Sequence, residues 1–259
     1  MGAEWGDSAP GSLRAGLRIA AQRWDSYEGR ANTDLGVCST PESSQRPVRV
    51  GTGIENVKWC HSCLLICSPE LMITDPPPRN SHLTSFRESD RITTLDVPAD
   101  DHLPRIAESI ESAMKDENTA MVRRACVEFL ATAAQFFGVP KCSVRVLAAR
   151  PLRVRERWTT ELFGDYAPET MSIRVWLRTA VRKEVTSFGT FLSTLCHEFC
   201  HHLDFKKFGF VDSWHPRGFY ERAAVLYHYA RSTALKKLFW VPMAGGRWRI
   251  DWQRTNRGA

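Results

Sequence analysis

Apolar side chains begin to recur at helical spacing just after residue 104. Ile106, Ile110 and Met114, then Met121, Val122, Ala125, Phe129, Leu130, Phe136 and Phe137, fall near three and four apart, the stripe that a helix buries on one face. Pro104 suits a first turn, and Gly138 and Pro140 close the run, so the pattern predicts one or two helices across 104–137. The period then changes. "CSVRVLAA" (142–149), "RWTTELFG" (157–164) and "MSIRVWLR" (171–178) read as strands, the last two joined by a turn at "DYAPET". In the third, Met171, Ile173, Val175 and Leu177 alternate with Ser172, Arg174, Trp176 and Arg178, as in a half-buried strand. Helical spacing returns from about Ser187 to Lys207, stopped by Gly209, and again after Pro216 to about Lys237. This order of helix, strands and helices predicts an α+β domain over 101–240. The tail, 241–259, reads as a short strand or a loose end.

No such period holds earlier. Residues 1–100 are rich in Gly, Pro, Ser, Thr and Arg, and "STPESSQRP" and "TDPPPRNSH" look like loop or linker. Too few apolar side chains recur there to offset ordering entropy, so a poorly structured extension or linker is expected up to about residue 100, with the working chain starting near Met72. "WCHSCLLIC" (59–67) holds one Cys-x-x-Cys, Cys60 and Cys63. A structural zinc site usually needs two such pairs, and these cysteines read as incidental.

Composition narrows the class. With 43% hydrophobic and 25% charged residues the chain is ordinary for a globular protein. No apolar run is long enough to cross a bilayer, and the N-terminus lacks the apolar stretch of a secretory signal. A cytoplasmic protein without a membrane partner is expected, its eight cysteines reduced. Charge is uneven. Residues 1–140 carry 14 Lys and Arg against 19 Asp and Glu, and residues 141–259 carry 21 against 10, a balance of +11. Such a basic half suits either a solvated surface or a nucleic-acid partner.

The densest chemistry lies in "TLCHEFCHHLDF" (194–205). His197 and His201 stand one helical turn apart, so both imidazoles can reach one metal ion. Glu198 lies beside the first, where a carboxylate can act as a base on metal-activated water. Phe188, Phe191, Leu192, Leu195, Phe199 and Leu203 would bury this helix. A catalytic zinc keeps three protein ligands, and His215, placed by Pro216 at the start of the next helix, is the preferred third. Glu221 on that helix is the rival ligand, or else a hydrogen-bond partner of a ligand histidine. Asp204 reads as an orienting carboxylate or as an exposed polar residue. Tyr220, and after it Tyr227, reads as an aromatic core residue or as the candidate donor to a developing oxyanion. His202 reads as a surface or capping residue, His228 as core or surface, and Cys196 and Cys200 as packing.

"HEFCH" followed by "HPRGF" resembles the zincin metallopeptidases, and most closely the SprT-like group: His-Glu-x-x-His, a variable loop, then a histidine with an aromatic residue four positions on. His197, Glu198, His201, His215 and Phe219 match this pattern. The resemblance is specific over about 190–222 and architectural over 104–240. It implies a zincin-like domain, a small mixed sheet packed on an active-site helix with flanking helices. A strand above that helix would hold extended substrate, a role open to "MSIRVWLR". It implies one Zn²⁺ per chain and a peptide or protein substrate. The chain departs from the group in lacking an evident C-terminal zinc ribbon.

Two functions follow as expectations. The first is a zinc metallopeptidase with Glu198 as general base on a zinc-activated water. The alternative is a non-catalytic module, metal-stabilised or associated with nucleic acid through the basic half.

Overall fold

The computed structural model describes residues 72–79, 81–155, 158–210 and 212–258. The Cys60–Cys63 motif lies outside them. Among the described residues, six α-helices and small sheets make a mixed α/β architecture that agrees with the α+β expectation. The chain runs α1 (His82–Arg91), α2 (His102–Lys115), α3 (Thr119–Phe137), β1 (Ser143–Ala149), β2 (Leu152–Arg155), β3 (Trp158–Glu161), β4 (Gly164–Ala167), β5 (Ser172–Arg178), α4 (Phe188–Lys206), α5 (Arg217–Ala230), β6 (Trp240–Pro242), β7 (Trp248–Ile250) and α6 (Trp252–Arg257).

The 104–137 stripe resolves into two helices. Asn118 separates them, its side chain capping α3 by accepting from Met121 N at 3.1 Å. Gly138, with φ +67°, ends α3 in the left-handed conformation that glycine adopts without steric cost. The central sheet has the order β1-β5-β4, with β1 parallel and β4 antiparallel to β5. Its inward residues, Val144, Val146, Ile173, Val175 and Leu177, are buried in one core with Phe129 and Leu130 of α3 and with Phe191, Leu192, Leu195 and Phe199 of α4. That helix is buried almost all round from Phe191 to Asp204, which holds its polar side chains in fixed positions. Ser187 caps its start, accepting from Thr190 N.

Several expectations need correction. "DYAPET" is not a simple turn: Asp165, Tyr166 and Ala167 belong to β4, and the 157–164 strand divides into β3 and the start of β4. "MSIRVWLR" is central, paired on both sides, so it offers no edge to a substrate. The last long helix stops at Ala230, seven residues early, where Ser232 takes φ +53° and turns the chain. Leu235, within the segment expected to be helical, is 59% exposed.

The expectation of little structure before residue 100 does not hold over 72–100. Helix α1 buries Phe86, and Leu95 joins the core. Nor is the tail loose. β6 and β7 form an antiparallel hairpin. The segment 72–74 lies along it, with Thr74 N donating to Trp248 O at 2.8 Å, Trp248 N to Thr74 Oγ1 at 2.8 Å and Ile250 N to Met72 O at 3.2 Å. The two ends of the described chain thus share one small sheet beside α5. No described helix is long and apolar enough to cross a membrane. The four described cysteines, Cys126, Cys142, Cys196 and Cys200, are free thiols.

Candidate metal centre

One turn of α4 separates His197 from His201, and their rings meet edge to face with centroids 4.8 Å apart. His215 reaches them from the loop before α5, where Pro216 forms the N-cap. The three Nε2 atoms make a triangle with every side 3.1 Å. Phe219, one turn into α5, lies under all three imidazoles at centroid distances of 4.7, 4.6 and 4.9 Å. The aromatic residue four positions after His215 is therefore the floor of the cluster. Among the described residues, this is the group of His, Cys, Asp and Glu side chains placed to hold a metal ion.

The opposite nitrogens of two rings are held in turn. Asp75 Oδ2 accepts from His215 Nδ1 at 2.9 Å and from His215 N at 3.0 Å. His201 Nδ1 donates to Ser213 Oγ at 2.7 Å, and that hydroxyl donates to Asp204 Oδ2, also at 2.7 Å. Asp204 is fully buried and paired with Arg222, whose Nη2 lies 2.8 Å from Oδ1. Arg222 also donates to Ser89 O and Ile92 O, tying α1 to the same network. Burial pushes the Asp204 carboxyl up, while Arg222 and Ser213 draw it down. At Asp75, burial also pulls upward, but the hydrogen bonds and charge of His215 outweigh it, and the carboxyl falls below its ordinary value.

These contacts assign tautomers. With Nδ1–H committed, His201 and His215 each turn an Nε2 lone pair inward, and two neutral rings so arranged cannot share a hydrogen bond across 3.1 Å. Burial first, and neighbouring histidine charge second, lowers the pKa of His197 and His201 well below the ordinary value of 6.5, so these two rings stay neutral at neutral pH. A cation among the three nitrogens would satisfy the converging lone pairs. Tetrahedral zinc at about 2.0–2.1 Å from each nitrogen separates its ligands by about 3.3–3.4 Å, close to the triangle found. The residues fit the ion.

Glu198 is fully buried beside His197, its side chain against Gly164 at the start of β4. Asp204 is the buried orienting carboxylate, acting on His201 through Ser213, and not an exposed residue. Glu221 is turned away from the cluster: its Oε1 accepts from Trp240 Nε1 at 2.9 Å, so it is His215, and not Glu221, that converges with His197 and His201. Tyr220 lies near the rings of His197 and His215, but its hydroxyl proton goes to Ile73 O at 3.0 Å. Tyr227 places its hydroxyl at Gly189, two helical turns before His197. His202 is not a surface residue. It is fully buried, donating from Nε2 to Pro140 O at 2.7 Å and accepting at Nδ1 from Tyr166 at 2.9 Å. Cys196 and Cys200 are packing thiols, their pKa values raised by burial.

Asp75, Ser213 and Arg222 were not legible as site residues. Asp75 lies 140 positions from His215 in a proline-rich segment, and no spacing connects the two. Comparison of the chain with protein families, with curated proteins and with solved structures finds no match.

Proposed function

We propose that this protein is a zinc-dependent peptidase with a zincin-like, SprT-like active site. The observation that carries the reading is the convergence of the Nε2 atoms of His197, His201 and His215, with the carboxylate of Glu198 next to them on the same helix. His197, His201 and His215 would hold the ion. Bound zinc supplies a Lewis acid that polarises a carbonyl and acidifies water. Glu198 takes the proton from the attacking water on its carboxylate and returns it to the leaving amine. Asp75 and Ser213 hold two of the imidazoles in the tautomer that presents Nε2. β4, paired on one side with β5 and starting at Gly164 against Glu198, is the strand this reading assigns to an extended substrate, in place of β5.

Burial favours a second reading, a metal-stabilised module. The three histidines are 0–2% exposed and Glu198 is 0% exposed, whereas a catalytic zinc keeps one position open. Against it, structural zinc takes four protein ligands, and the described cluster supplies three. The Glu198→Gln variant separates the readings. A peptidase keeps its zinc and loses hydrolysis of an unfolded protein substrate. Equal hydrolysis by variant and wild type refutes the peptidase.

A further inference from the structure

We infer that Asp75 is the positioning residue of the metal centre and that the C-terminal hairpin holds it in place, so that His215 becomes a competent ligand only when segment 72–75 is docked on that hairpin. This inference rests on the zinc reading and extends it to two segments that touch no ligand atom of the centre.

His215 sits in a loop, outside the helix that fixes the other two ligands, and a loop residue needs an external constraint to hold one rotamer and one tautomer. Asp75 supplies both. A single carboxylate oxygen receives the ring Nδ1–H at 2.9 Å and the backbone N–H of the same residue at 3.0 Å, and Asp75 N donates back to His215 O at 3.1 Å. Ring and backbone are thus fixed from one point, with Nε2 left facing His197 and His201. A carboxylate on the far nitrogen also makes the imidazole a stronger donor to a metal.

Asp75 has no helix of its own to stand on. Its position comes from Thr74, whose backbone N–H and side-chain oxygen both bond the backbone of Trp248, and from Met72, whose carbonyl accepts from Ile250 N. Tyr220 adds a bond to Ile73 O from beneath the cluster. Ligand loop, segment 72–75 and C-terminal hairpin therefore form one chain of contacts: His215 to Asp75, Thr74 to Trp248.

The test uses the full chain with zinc, and with cobalt as a spectroscopic substitute. Asp75→Asn should weaken zinc binding about 10–100-fold in competition with a chromophoric chelator. It should also alter the visible absorption of the cobalt-substituted protein, whose bands report ligand geometry. Asp75→Glu should recover part of the affinity. Thr74→Val, which removes the side-chain bond to Trp248 N, should weaken zinc in the same direction. In the wild type, nitrogen-resolved NMR of the His215 ring should show the proton on Nδ1, a readout that no variant has to fold for. Unchanged zinc affinity and cobalt spectrum in Asp75→Asn, or a proton on Nε2 in the metal-free wild type, overturns the inference while leaving the zinc reading intact. A wild type that takes up no zinc removes both.

Discussion

A Cβ on Gly164 would stand 2.8 Å from Oε1 of Glu198 and 2.6 Å from Cγ2 of Thr194. β4 and α4 approach this closely because position 164 has no side chain. The contact sets the carboxylate against the strand, with α4 buried on both sides of it.

Gly164→Ala should therefore push Glu198 or shift β4, at a cost of about 1–3 kcal/mol, the usual range for overpacking a core. Zinc content should stay at the wild-type level, since the atoms nearest to such a Cβ belong to Thr194 and Glu198 and not to His197, His201 or His215, while hydrolysis falls. Denaturant unfolding and an activity assay on the same preparation check both parts. Unchanged stability and activity would show that the contact constrains nothing.

Arg222 and Asp204 form an ion pair out of reach of water, with Arg222 also bonded to Ser89 and Ile92. Arg222→Met leaves Asp204 buried opposite an apolar side chain, which should cost about 3–5 kcal/mol. Adding Asp204→Asn should recover part of that loss, because the stranded charge goes with it. Urea unfolding of the single and double variants measures the difference. A single variant within about 1 kcal/mol of wild type would mean that the pair adds nothing to the fold.

His228 gives a pH dependence from a histidine outside the His197–His201–His215 cluster. Burial first, then Lys236 and Arg231, lowers its pKa from 6.5 to about 4, and Nδ1 lies 2.8 Å from Thr233 Oγ1. The folded protein keeps this ring neutral, so as the pH falls below 6.5 the unfolded chain takes up the proton first. Its contribution to stability is whole above 6.5, declines as pH falls toward 4, and changes no further below that. His228→Gln should remove this component, and the wild type should lose stability relative to the variant across that window. Parallel stability curves from pH 7 to 4 would contradict the shift.

The legible part of the molecule was the part with a period. β5 alternates over the four pairs from Met171 to Arg178, and α4 combines an apolar stripe with His197 and His201 one turn apart, so both element and chemistry could be read directly. His215 was reachable because proline marks the start of α5 and Phe219 follows at a fixed offset. What escaped has no period. Asp75 acts from an extended segment among prolines, held by hydrogen bonds to Trp248 that depend on tertiary pairing and not on local sequence. Arg222 looks like any helical arginine until Asp204 is placed opposite it. Glu221, one position earlier, stands as the rival to His215 in the sequence because its bond to Trp240 comes from the tail hairpin and leaves no local mark. The extra length expected of α5, to about Lys237, is cut off by the turn at Ser232, whose positive φ no local spacing signals.

The most direct test of the account is the metal content of the purified, zinc-reconstituted protein, measured by plasma mass spectrometry on wild type, His215→Ala and Glu221→Ala. The account predicts about one zinc per chain in the wild type and in Glu221→Ala, and its loss or marked weakening in His215→Ala. Full zinc in His215→Ala would contradict the three-histidine centre. No zinc in the wild type would contradict the metal site altogether.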